Sequence, residues 1–213
     1  MNEQLLQEIF QLTSSRGLPN LDDLEAKVNT LPVHPDSVTT GTDKKQYTYH
    51  GGHTLLFIIT MRFGNITARI MPPTRPQGLR IIETLLKKGA NPNKLRDTHT
   101  GSGSYNMTST AIYCAVYDGN KDIVELFLKY GANPDPDGTN ELMFIASGYN
   151  KSNACYDMTL MLANHGANLK TARNESLLQI FENHYGKEIK SPQHYKNNQD
   201  NIQKIHALLK NGK

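Results

Sequence analysis

A chain of 213 residues, 37% apolar and 20% charged, has room for one or two domains. That balance suits a thin, elongated soluble fold better than one thick core. A net charge of +3, spread over interspersed acids and bases, makes no polybasic stripe and gives no argument for nucleic acid.

The first residues, MNEQLLQEIFQL, carry acids and no basic region, so they do not read as a secretory signal. Residues 3–12 set Leu5, Leu6, Ile9, Phe10 and Leu12 on one helical face. A turn cluster, TSSRGLPN, follows. Asn20 then opens a second helix with Leu21, Leu24 and Val28 apolar and Pro32 beyond its end. Asp22 and Asp23 fall in its first turn, where the helix dipole favours acids. Residues 1–50 are read as an N-terminal helical cap and a polar, turn-rich loop. His50-Gly51-Gly52-His53 has ligand-like spacing, but no acid or cysteine stands close by. It reads as a turn, not a metal site. Leu55–Met61, the longest apolar run, is far shorter than the about 20 residues a bilayer span needs.

One phrase recurs after this point. Residues 81–93 read IIETLLKKGANPN, 121–133 KDIVELFLKYGAN, 158–170 MTLMLANHGANLK and 205–213 IHALLKNGK. An apolar helix closed by Gly-Ala-Asn, repeated, predicts stacked helix pairs that cannot hide their faces singly. Gly89, Gly131, Gly166 and Gly212 are the expected C-caps. Thr54, Thr110, Asn140 and Ser176 precede the expected first helices and can bond their free N–H groups.

From Gly51 onward the chain resembles the ankyrin repeat family. The best unit carries Thr110-Ala111-Ile112-Tyr113-Cys114-Ala115 where the family has T-P-L-H-x-A, then Gly119, then Ile123, Val124, Leu126, Phe127 and Leu128 before Gly131-Ala132. The other units run Gly52–Ile59 with Ile81–Ala90, Gly138–Ala146 with Met158–Ala167, and Ser176–Phe181 with Ile205–Gly212. No first helix keeps the family's Pro or His. The resemblance implies an all-α ankyrin repeat solenoid of about four helix-turn-helix repeats, at 51–93, 106–135, 138–170 and 174–213, with an N-terminal helical cap and irregular insertions. The insertions are expected at Gly64–Pro76, Asn150–Tyr156 and Gly186–Asp200, and in a long finger at residues 94–109.

The resemblance also implies a partner surface, because the family binds through its fingers and first helices. Ends of first helices give Met61, Arg62, Tyr117, Asp118, Ser147, Gly148, Asn183 and His184. Finger positions give His50, His53, Asn106, Met107, Ser109, Asp137 and Thr139, and Tyr105 lies in the long finger. Tyr105, Met107, Tyr117 and Arg62 have the size and chemistry of interface anchors.

No nucleotide-binding loop, HExxH or nucleophile elbow occurs. Cys114 and Cys155, the two cysteines, form no CxxC pair, so neither a disulfide scaffold nor zinc is expected, and a reducing compartment is. The reading is a non-catalytic, cytoplasmic, monomeric module that binds a protein partner, with no cofactor, no metal, no membrane and no nucleic acid. Irregular repeats and insertions resemble ankyrin proteins that intracellular bacteria or viruses direct at host cells. A rival reading, an enzyme or enzyme regulator, requires a pocket in which Cys114 or His53 meets a carboxylate. A further rival takes Lys44, Lys45, Arg62, Arg69, Arg75 and Arg80 as a nucleic-acid surface.

Overall fold

The structure, a computed structural model, describes residues 3–14, 20–31, 54–67, 75–94, 110–135, 155–168, 176–190 and 199–211. Among these residues the regular structure is helical and no β-strand forms. The helices are α1 (Glu3–Ser14), α2 (Leu21–Thr30), α3 (Leu55–Thr67), α4 (Arg75–Lys87), α5 (Ala111–Tyr117), α6 (Lys121–Lys129), α7 (Cys155–Asn164), α8 (Leu177–Lys190) and α9 (Gln199–Lys210). They fall into two compact units, Met1–Cys114 and Ala115–Lys213, with the division inside α5. The loop at 33–50, the His50–His53 turn, most of the finger and the first helix expected at Gly138–Ala146 lie outside the described residues.

In the first unit α1 packs on α2 and α3, and α4 packs on α2 and α3. Apolar spacing dictates this arrangement. Leu21, Leu24 and Val28 recur at three and four residues, so they share one face of α2, and all are buried. In α1, Ile9 and Thr13 are buried, while Leu5 and Leu12 are half-buried. α3 differs. Every residue from Leu55 to Thr60 is buried, and Thr60 escapes the cost of a lone buried hydroxyl by donating to the Leu56 carbonyl at 2.7 Å. The opening of α3, Leu55–Thr60, is therefore enclosed on all sides. In the second unit α6 packs on α7, α7 on α9, and α8 on α9. Cys155, Phe181, Ile202 and Ile205 form a core there, flanked by Tyr156, Tyr185, Ile189 and Leu209.

The Gly-Ala-Asn phrase has a physical explanation at each of its positions. Gly131 has φ of +81°, in the left-handed region. Its N–H donates to the Leu128 carbonyl at 3.1 Å, and the Ala132 N–H donates to Phe127 at 2.9 Å. This pair of bonds, one spanning four residues and one spanning six, satisfies the carbonyls that a helix end leaves open. The same pair recurs at Gly89-Ala90 and Gly166-Ala167. The alanine is small because it is tucked under the helix: Ala90, Ala132 and Ala167 are all buried. The asparagine makes a side-chain turn. Asn91 Oδ1 accepts from the Asn93 N–H at 2.9 Å, and Asn133 Oδ1 from the Asp135 N–H at 3.0 Å. Gly212 lies outside the described residues.

Helix starts behave as their side chains predict. Asn20, Thr54, Thr110 and Ser176 accept from the N–H groups of Asp23, Phe57, Tyr113 and Leu178 at 3.1 to 3.4 Å. Asn140 lies outside the described residues.

The insertions are shorter than expected, because helix absorbs much of them. Gly64–Thr67 continue α3, and Arg75 and Pro76 open α4. Proline is tolerated in a first turn, where its missing N–H would have no partner anyway. Likewise Gly186–Lys190 continue α8, Gln199 and Asp200 open α9, and Cys155 and Tyr156 open α7. Continuing a helix supplies backbone hydrogen bonds that an irregular insertion would have to find elsewhere.

Candidate functional site

Partner contacts are expected at the ends of first helices and in fingers. The clearest of these ends is that of α5, which stops after Tyr117. Gly119, at φ +74°, donates from its N–H to Val116, and Asn120 donates to Ala115 at 2.9 Å. Asp118 is thereby fixed between the helix and the glycine, half-buried. Burial pushes its carboxyl up to about 6, since a carboxylate there gives up hydration. Tyr117 is the last residue of α5, and its side chain lies outside the described set.

Two other pairs fall elsewhere than expected. Met61 and Arg62 sit in the middle of α3, not at its end, because the helix runs on to Thr67. Met61 is half-buried there, and the Arg62 side chain is outside the described set. Asn183 and His184 are likewise inside α8, which continues to Lys190. Asn183 is exposed, and the His184 side chain is outside the described set. The helix extensions that shorten the insertions therefore also displace these pairs from helix ends. His50, His53, Tyr105, Asn106, Met107, Ser109, Asp137, Thr139, Ser147 and Gly148 lie outside the described residues.

Among the described residues, no group of three His, Cys, Asp or Glu side chains is arranged to hold a metal. Cys155 is buried in the core and Cys114 is half-buried on α5. No helix is long and apolar enough to cross a membrane, again among the described residues. Arg80, one of the cations weighed for nucleic acid, is engaged by Glu25 through two bonds of 3.0 and 3.3 Å. Those bonds, with one from Gln77, hold the Glu25 carboxyl below its usual range.

Sequence reasoning missed a set of polar ties between helices that follow each other in the stack. Gln77 Nε2 donates to Asp22 at 2.8 Å and to Glu25 at 2.9 Å, joining α4 to α2. Asp22 therefore accepts from a neighbouring helix as well as complementing its own dipole. Lys27 meets Glu8 at 2.7 Å, joining α2 to α1. Lys121 meets Asp157 at 2.5 Å, joining α6 to α7. Lys204 lies 5.9 Å from the ring of Tyr156, joining α9 to α7. Arg80 and Asp157 each stand nine residues ahead of a helix-closing glycine, Gly89 and Gly166. That shared register was the signal available in the sequence.

Helical hairpins tied in register and closed by one recurrent turn define a helical repeat protein. Residues 75–173 match a family model described as ankyrin repeats, in three copies. The matched stretch is a little under half of the chain. No curated protein matches the chain.

Proposed function

We propose that this chain is a non-catalytic module that binds a protein partner through its first helices and the finger at residues 94–109. The observation that carries the reading is the ankyrin repeat match over residues 75–173, since such repeats are generally protein–protein interaction modules. Asp118 gives the reading a local anchor. A half-buried carboxylate beside Tyr117 at a helix end loses little further hydration when a partner covers it. Tyr105, Asn106, Met107 and Ser109 supply the finger, His53, Asp137 and Thr139 the neighbouring turns, and Met61, Arg62, Ser147, Asn183 and His184 the remaining helix positions. The finer reading is a monomer acting in the cytosol of a host cell against a host protein. Its support is the departure from the family pattern at Ala111, Tyr113 and the long finger.

The test is affinity capture from a eukaryotic lysate with the intact protein and with a version whose residues 96–106 are replaced by a short Gly-Ser link. The intact protein is expected to retain partners that the replaced one loses. Identical partners for both would remove the finger from the interface. Tyr117→Ala is expected to weaken capture while leaving the melting temperature nearly unchanged.

A further inference from the structure

We infer that α1 and α2 form a repeat unit in register with the α3–α4 hairpin that follows, although the ankyrin match begins only at residue 75. The helices pair as two successive hairpins do. α1 packs on α2 and α3 on α4, and between hairpins α1 meets α3 while α2 meets α4. First helix lies on first helix, and second on second. The second unit repeats the latter pattern, with α6 on α7 and α7 on α9.

The polar ties agree. Arg80 of α4 and Asp157 of α7 hold the same place before their glycines, and each meets a residue of an earlier helix that its own helix packs on. Arg80 reaches Glu25 of α2, and Asp157 reaches Lys121 of α6. The charges are reversed but the position is shared. Glu25 and Lys121 fall at different points along their helices, but each lies on the helix that its partner's helix packs against, and by that pairing α2 is a second helix.

The reason the hairpin lacks the family's phrase is visible at its end. α2 stops at Leu31 with φ of −56°, without a left-handed glycine. The carbonyl of the cap residue is taken from outside the hairpin, as Nζ of Lys88, the residue after α4, donates to Leu31 O at 2.8 Å. The Leu31 N–H makes to Val28 O, at 3.2 Å, the bond that the Gly131 N–H makes to Leu128 O, so half of the closing pair is kept without a glycine and the sequence signature is gone. Within the first unit the first helices therefore begin at α1, which lies on α3. The connection from α2 to α3 holds the same place in chain order as the finger between α4 and α5.

Hydrogen exchange on the intact chain tests this inference independently of any partner. α1 and α2 are expected to open as one hairpin, with a common dependence on denaturant. Arg80→Ala removes an exposed cation and should leave the protein folded. It is expected to speed exchange at Leu24, Val28 and Ile9 together by about two- to five-fold, the range of an exposed ion pair. Lys88→Met is expected to act on the same amides. If either variant moves α2 and leaves Ile9 unchanged, or if α1 opens separately from α2 in the unmodified protein, the hairpin is not a repeat unit.

Discussion

Lys121 Nζ lies 2.5 Å from Asp157 Oδ2, and this contact links the first turns of α6 and α7. Both side chains are partly open to water, at 40% and 47%, so Coulomb attraction is screened. Lys121 is held above the usual lysine range, first by its hydrogen bond to Asp157 and then by that residue's charge. A double-mutant cycle with Lys121→Ala and Asp157→Ala should give a small favourable coupling at low salt. The coupling should shrink towards zero in about 1 M salt, where the Debye length is about 3 Å. Urea denaturation at the two salt concentrations measures it.

Asp118 should make the protein less stable as pH rises. Its folded-state carboxyl is raised from the ordinary 3.8 to about 6, so between these values the folded state holds more proton than the unfolded one. Stability contributed by the protonated form is present below 3.8 and is lost as pH rises through about 6. Asp118→Asn keeps the shape and removes the charge. It is expected to raise the melting temperature at pH 7 and to leave it nearly unchanged at pH 3. Thermal melts of both proteins across that range decide this. A larger stabilisation at pH 3 than at pH 7 would contradict burial as the cause.

Gly131 tests the closing turn. A Cβ there would meet nothing within 4 Å, so crowding is not the issue, and the φ of +81° is. Gly131→Ala should therefore cost about 1–2 kcal/mol, the penalty of a left-handed L-residue. Gly131→Asn should cost less, since asparagine tolerates that region better. Chemical denaturation of the two variants gives the order. Equal losses would show that backbone conformation is not what selects glycine.

The repeat was legible because its physics is local. Gly89, Gly131 and Gly166 close helices through bonds that span at most six residues, so the phrase shows in the sequence wherever that turn is made. The caps at Asn20, Thr54, Thr110 and Ser176 were legible for the same reason. Helix lengths were not. Nothing local stops α3 at Met61 or α8 at Asn183. Gly64 and Gly186, where the insertions are expected to begin, lie inside the helices, and a glycine inside a helix costs only about 1 kcal/mol, which packing overrides. The ties Glu25–Arg80 and Lys121–Asp157 join residues far apart in sequence. Only the stacking of helices brings them together. Of the site, Asp118 was legible by its place before Gly119, whereas its raised carboxyl depends on burial that spacing does not reveal.

Phe181 is 2% exposed and packs with Cys155, Ile202 and Ile205, while its ring stands 4.8 Å from that of Tyr185. It thereby joins α8 to α7 and α9, the helices at the C-terminal side of the second unit. Phe181→Ala should leave a cavity and cost about 3–5 kcal/mol. Phe181→Leu keeps most of the volume and should cost far less. Because repeat units couple mainly to their neighbours, the loss should appear first as faster hydrogen exchange in α8 and α9, with α6 affected less. Exchange measured helix by helix reads this directly. A uniform rise across α6, α7, α8 and α9 would mean that the second unit opens as one block, with no gradient along the stack.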